Sequence, residues 1–113
     1  MPQYAVLIYE KTPPEDLPAD VQQGHLSLPD RIAEQGGRVV AGLGLHESAT
    51  ATSIRGDLLT DGPFIETKEE LGGLYVLEAR DLDHALALAR MTPIDQGGVE
   101  VRPLIDFVVV EGG

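Results

Sequence analysis

A histidine on the apolar side of a predicted helix is the residue best suited to acid–base chemistry in this sequence. His25 lies four residues after Val21 and three before Leu28, so helical spacing places the three side chains on one stripe. An imidazole among apolar side chains loses hydration unless it finds a hydrogen-bond partner. Because it titrates near neutral pH, it could exchange a proton with a substrate. A structural histidine would suit the same position, and the sequence leaves both interpretations open.

A turn-rich segment supplies a possible partner for this imidazole. Residues 61–73 read Asp-Gly-Pro-Phe-Ile-Glu-Thr-Lys-Glu-Glu-Leu-Gly-Gly, in which Gly62 tolerates a positive φ and Pro63 restricts its own. The segment is rich in carboxylates, and Asp61 is predicted as the catalytic partner of His25. The alternative is a solvated turn in which the Asp61 side chain accepts backbone hydrogen bonds.

Five further side chains are predicted to contact a substrate: Tyr9, Phe64, Glu66, Lys68 and Arg102. Each also has a structural interpretation. The phenol of Tyr9 could be buried at the edge of the core, and Phe64 is apolar enough to fill the core or a pocket wall. Arg102 interrupts an apolar strand and could bind an anionic group or pair with a nearby glutamate.

The sequence predicts neither a metal site nor a cofactor. Its three histidines, His25, His46 and His84, are dispersed without ligand spacing, and it contains no cysteine. No phosphate-binding loop, nucleophile elbow or dinucleotide fingerprint is present. We expect His46 and His84 to lie on the surface.

Charge and composition limit the classes of partner. A formal net charge of -11, with eight scattered Lys and Arg residues, predicts no direct nucleic-acid binding. The chain has no run of apolar residues long enough to span a membrane and no basic segment typical of a signal peptide. We therefore expect a cytoplasmic protein that does not enter the membrane.

The hydrophobic pattern predicts a single domain, residues 1–113, that contains both strands and helices. The predicted elements are a strand over 4–9, a helix from about Leu17, a strand over 38–45, a hairpin over 53–60, a strand over 74–79, a helix from Leu82 to about Met91, and a β-like stretch over 99–110. Pro29 predicts a kink in the first helix, and the alternative is one short helix that ends near Gly24 and a second that starts at Ser27. Pro103 cannot donate to a ladder, which predicts an edge position or a bend in the last stretch.

This order of elements predicts an α+β fold of the ferredoxin-like βαββαβ type with an inserted β-hairpin. Both helices should lie on one face of an antiparallel sheet. The other face would then be apolar and uncovered, so we expect a second copy to cover it in a homodimer.

The segment described above resembles the motif of the DGPF branch of the YCII-related family. The matching residues are Asp61, Gly62, Pro63, Phe64, Glu66, Lys68, Glu69, Gly72 and Gly73, together with the stretch from Val99 to Pro103. The resemblance implies a dimeric α/β barrel. It also assigns a functional role to His25, which is followed by Leu26 and lies twelve residues before Gly37, as in the family. Where the family has an Asp-Pro step, this chain has Thr92-Pro93.

Two functions are consistent with these patterns. The resemblance implies a small-molecule enzyme that performs cofactor-free lyase or isomerase chemistry with His25, and a small-molecule ligand follows from that interpretation. The alternative is a noncatalytic dimeric accessory or regulatory module that acts through a protein or metabolite partner.

Overall fold

Four antiparallel strands form the main sheet of the computed structural model, which describes residues 1–111. The sheet has the strand order β2-β5-β1-β6, and β3 pairs with β4 in a separate hairpin. The strands are β1 (Gln3–Glu10), β2 (Arg38–Gly44), β3 (Thr52–Arg55), β4 (Leu58–Asp61), β5 (Glu70–Glu78) and β6 (Gly97–Pro103). This is the α+β ferredoxin-like arrangement with an inserted hairpin that the sequence predicts.

Both helices lie on one face of this sheet and enclose the core. Helix α1 runs over Ala19–Glu34 and helix α2 over Leu82–Ala89. The largest fully buried side chains come from both helices and from the two central strands: Ile32, Leu77, Leu88 and Val6. Their burial supplies the main driving force for holding α1 over the strands.

Helix α1 is continuous through Pro29, so the alternative of two separate helices is wrong. Pro29 cannot donate a hydrogen bond to the carbonyl of His25, four residues earlier. The helix is retained because Leu28 and Ile32, on either side of the proline, are buried in the core.

The β-like stretch at the C-terminus forms a strand only as far as Pro103. The edge position predicted from this proline is confirmed, because β6 is the last strand of the sheet. Residues 104–110 form no strand, although Val108, Val109 and Val110 have high β-propensity. These valines are 70 to 84% exposed, so they gain little burial from the described part of the chain that would favour a strand.

His84 is buried, so the predicted surface position is wrong. Its backbone N–H donates to the capping carboxylate of Asp81 at 2.8 Å. Its Nδ1 accepts from the backbone N–H of Arg80 at 3.0 Å, and its Nε2 lies 2.8 Å from the carbonyl oxygen of Gln35. Because a carbonyl only accepts, Nε2 is the donor, and the imidazole joins the start of α2 to the end of α1.

The second face of the sheet carries no helix. Ala5 pairs with Val76, and Leu7 pairs with Leu74, which also pairs with Leu43. Directly opposed side chains share a face, so these residues form an apolar surface, which we call the open face. The Leu43 side chain is 61% exposed there. No helix among residues 1–111 is both long and apolar enough to cross a bilayer.

Candidate functional site

A cleft opens beneath α1 at the end of the sheet where β1 ends and β5 begins. Its volume is about 350 Å³, and we call it the His25 cleft. Its lining is mostly apolar, with two imidazoles and three carboxylates: Ile8, Glu10, Thr12, Pro14, Leu17, His25, Leu43, Gly44, Leu45, His46, Glu47, Glu70, Leu71, Gly72 and Gly73.

Two glycines leave room at the floor of this cleft. Ile8 pairs with Gly73, which pairs with Gly44, so all three positions are on the helix-bearing face. A Cβ built at Gly73 would lie 2.5 Å from the carbonyl oxygen of Leu43, so no side chain fits there without movement of the backbone. A Cβ at Gly44 would meet no atom within 4 Å. The space above Gly44 is therefore open to a ligand.

His25 borders the cleft from α1 and is half-buried. Desolvation by this burial lowers the pKa of the imidazole from its ordinary value. The carboxylate of Glu10 and the backbone carbonyl of Pro93 act in the opposite direction but do not cancel the effect. This shift favours the neutral imidazole, which is the form able to accept a proton.

Glu10 is the carboxylate whose charge raises the pKa of His25, and it was not among the residues predicted from the sequence. It is held at the end of β1 by accepting the backbone N–H groups of Asp95 at 2.7 Å and Gln96 at 2.8 Å. The alternation of Tyr4, Val6 and Ile8 along β1 places Glu10 on the helix-bearing face, and this was the available signal.

Replacing Glu10 with Gln is expected to lower the pKa of His25 further. The variant removes the negative charge that favours the imidazolium, whereas desolvation of the ring remains. An NMR titration of the imidazole measures this change, and Glu15→Gln, which alters an exposed carboxylate before α1, serves as the matched control. An unchanged or higher pKa in Glu10→Gln would show that the charge of Glu10 does not stabilise the imidazolium of His25.

Thr92 does not act on His25 through a hydrogen bond of its own side chain. The residue is buried, and its Oγ1 lies 2.8 Å from the hydroxyl of Tyr75, with which it shares a hydrogen bond. Its neighbour Pro93 lies against α1, since a Cβ at Gly24 would come within 2.6 Å of Pro93 Cγ. Gly24 thus allows the Thr92-Pro93 step to pack beside His25.

Asp61 lies at the end of β4, opposite Thr52 in the hairpin, and it is exposed. It is not among the residues that line the His25 cleft. The structure therefore does not bring the predicted pair of Asp61 and His25 together around this cleft. The catalytic role of Asp61 stays a prediction.

Three predicted substrate contacts, Tyr9, Phe64 and Glu66, meet around a second, more open concavity of about 920 Å³. Phe64 is 57% exposed, so it does not fill the core, and the guanidinium of Arg55 lies 4.2 Å from its ring centroid. The two concavities are neighbours, because five residues line both: Leu45, His46, Glu47, Glu70 and Leu71.

Lys68 and Arg102 lie outside both concavities. Lys68 is exposed, and Arg102 on β6 pairs with the carboxylate of Glu100. That carboxylate raises the pKa of Arg102 by hydrogen bonding and by its charge. The ion pair predicted as the structural interpretation of Arg102 is thus present.

The fold and the cleft define a small ferredoxin-like α+β protein with a histidine-lined site. The YCII-related domain matches residues 2–108, and the chain belongs to this family. A relative of Rhizobium meliloti (strain 1021), named uncharacterized protein R00369, is 47% identical over 51 residues. That match covers 42% of this chain and 40% of the relative, so the chain spans less than half the length of the relative.

Proposed function

We propose that this protein binds a small organic molecule in the His25 cleft and that His25 transfers a proton to or from it. The observation that carries the proposal is a half-buried imidazole, with its pKa lowered by desolvation, beside an open and mostly apolar space. The reaction class that fits is cofactor-free isomerisation or elimination. In an isomerisation the base removes a proton from one carbon of the substrate and returns it to another. In an elimination the base removes a proton from carbon while the leaving group departs with its bonding electrons, and the proton then passes to water.

Glu10 supports this chemistry electrostatically. When His25 accepts the substrate proton, the resulting imidazolium is favoured by the nearby negative charge of Glu10. Glu10 is also restrained by two backbone N–H groups, so its charge has a defined place beside the cleft. The roles of Asp61, Tyr9, Phe64, Glu66, Lys68 and Arg102 in binding or catalysis remain further parts of the proposal.

His25→Gln is expected to reduce turnover by about 100-fold or more on a substrate identified from a panel of elimination and isomerisation reactions. The glutamine side chain has no proton equilibrium near neutral pH and cannot act as the base. Leu26→Ala is the matched control, because Leu26 is the next residue of α1 and is 77% exposed. Full activity of a folded His25→Gln variant would refute the catalytic role.

We further propose that two copies associate through the open face. Leu43 is 61% exposed on this face and Leu7 and Leu74 are partly exposed, so these apolar side chains would otherwise remain in contact with water. Tyr9 pairs with Leu71 next to this row, and both line the second concavity, so a second copy could complete that concavity.

Sedimentation velocity at micromolar concentration is expected to give a dimer. Leu43→Glu places a charge on the open face and should shift the equilibrium toward monomer, whereas Leu26→Glu on the far side of α1 should not. A stable monomer of the unmodified protein under these conditions is the result that contradicts the proposed association.

A noncatalytic accessory or regulatory role is the second candidate. The inserted hairpin favours it, because Ile54 and Leu59 are directly opposed across its two strands and are each 65% exposed, which gives an apolar surface suited to a protein partner. If this role holds, a metabolite that raises the melting temperature of the protein should do so equally in His25→Ala. A ligand response that disappears in His25→Ala favours the first candidate.

Within the family we propose that the chain falls in the DGPF branch and acts in the cytoplasm. The motif that begins at Asp61 supports the branch, and the absence of cysteine from the sequence is consistent with a reducing compartment.

A further inference from the structure

The charged groups of the His25 cleft are all of one sign. Three carboxylates line it, from Glu10, Glu47 and Glu70, and no lysine or arginine is found among its lining residues in the described part of the chain. The remaining titratable groups are the imidazoles of His25 and His46. A bound carboxylate or phosphate would therefore meet negative charge without a cation to neutralise it.

Two of these three carboxylates, those of Glu10 and Glu70, are held in place beside the cleft, whereas Glu47 is exposed. Glu10 is fixed by two backbone N–H groups, and Glu70 accepts the backbone N–H of Ser48 at 3.3 Å. Both residues are only partly exposed, so water screens them less than it screens free surface charges. Arg31 on α1 donates instead to Ser27 and to the carbonyl of Gly24.

The rest of the lining is apolar. Apolar residues come from β1, from the segment before α1, from just after β2 and from β5: Ile8, Pro14, Leu17, Leu45 and Leu71. The volume of about 350 Å³ lies at the small end of the range for ligand pockets in proteins. A compact apolar group would match both the size and the apolar lining of the cleft.

We infer that the ligand of the His25 cleft is a small molecule with an apolar body and a neutral or cationic polar group, and that the cleft rejects anions. This inference rests on the proposed function and adds the charge class of its substrate. An amine or alcohol would donate a hydrogen bond to Glu47 or Glu70 while its apolar part contacts the leucines.

Three probes that share a cyclohexyl ring test the charge class: cyclohexylmethylamine, cyclohexylmethanol and cyclohexanecarboxylate. Each is titrated into the full chain at pH 7, and the backbone amide resonances of Gly44, Gly72 and Gly73 are followed by NMR. The amine and the alcohol are expected to shift these resonances saturably, with the carboxylate bound about tenfold more weakly or worse.

A double variant, Glu47→Gln with Glu70→Gln, is expected to reduce the preference for the amine over the carboxylate by about tenfold. Its matched control is Glu34→Gln combined with Glu15→Gln, which removes the same charge at exposed positions outside the cleft. An equal loss of preference in both double variants would mean that overall charge, and not the cleft, selects the ligand.

The remaining outcomes separate this inference from the proposal beneath it. Equal or tighter binding of the carboxylate at these glycines overturns the inference and leaves the cleft as a ligand site. If none of the three probes shifts these resonances up to its solubility limit, the proposed function fails together with the inference.

Discussion

Ile32→Ala is expected to lower the free energy of unfolding by about 2–5 kcal/mol. Ile32 is fully buried between α1 and the strands, so its truncation removes apolar contacts and leaves a cavity. Small domains have a total stability of only about 5–15 kcal/mol, and the loss would be a large part of it. Urea unfolding followed by circular dichroism measures the change.

Leu26→Ala is the control on the same helix. Its side chain is 77% exposed, and the substitution should change the stability by no more than about 0.5 kcal/mol. If both variants were equally stable, α1 would not be docked through Ile32, and the position of His25 over the sheet would lose its support.

Gly44→Leu is expected to weaken binding of any ligand of the His25 cleft by about tenfold or more, equivalent to about 1.4 kcal/mol. The new side chain would enter the open space above Gly44, where a Cβ meets no atom within 4 Å. Because a Cβ at this position has open space and the glycine has no positive φ, the fold should tolerate the change. Isothermal calorimetry with a probe that binds the unmodified protein measures the loss.

Gly42→Leu is the matched control. Gly42 is two residues earlier on the same strand, a Cβ there also meets no atom within 4 Å, and the residue does not line the cleft. It should bind the probe with unchanged affinity. Equal weakening in both variants would assign the effect to the strand and not to occupation of the cleft.

The fold could be predicted to a large extent because local patterns and tertiary packing agree. The apolar run of β1 and the helical stripe from Val21 to Ile32 both contribute buried side chains to the same face of the sheet in the structure. The predictions fail where burial, or the lack of it, outweighs the local preference of the sequence. Burial of Leu28 and Ile32 keeps α1 intact through Pro29, and the exposed valines after Pro103 form no strand despite their β-propensity.

The site could be predicted only in part. His25 was found because a polar side chain interrupts an apolar stripe, which is a local signal. Glu10 was missed because its proximity to His25 depends on how α1 crosses the end of β1, and no spacing in the sequence encodes that crossing. Asp61 was predicted as a partner from the carboxylate-rich turn, whereas the structure places it on the hairpin, outside the lining of the cleft.

The buried position of His84 shows the same dependence on tertiary structure. Its Nε2 donates to Gln35, a residue 49 positions away in the sequence, and only the packing of α2 against the end of α1 brings the two groups together. The sequence of α2 alone does not distinguish His84 from a solvent-exposed histidine.

An NMR-monitored screen of small neutral and cationic molecules against the unmodified protein tests the central proposal most directly. We predict that at least one compound shifts the imidazole resonances of His25 and the amide resonances of Gly44 and Gly73 together and saturably. Compounds that shift only resonances of the hairpin or the open face, with His25 and both glycines unaffected, would contradict the assignment of the His25 cleft as the functional site.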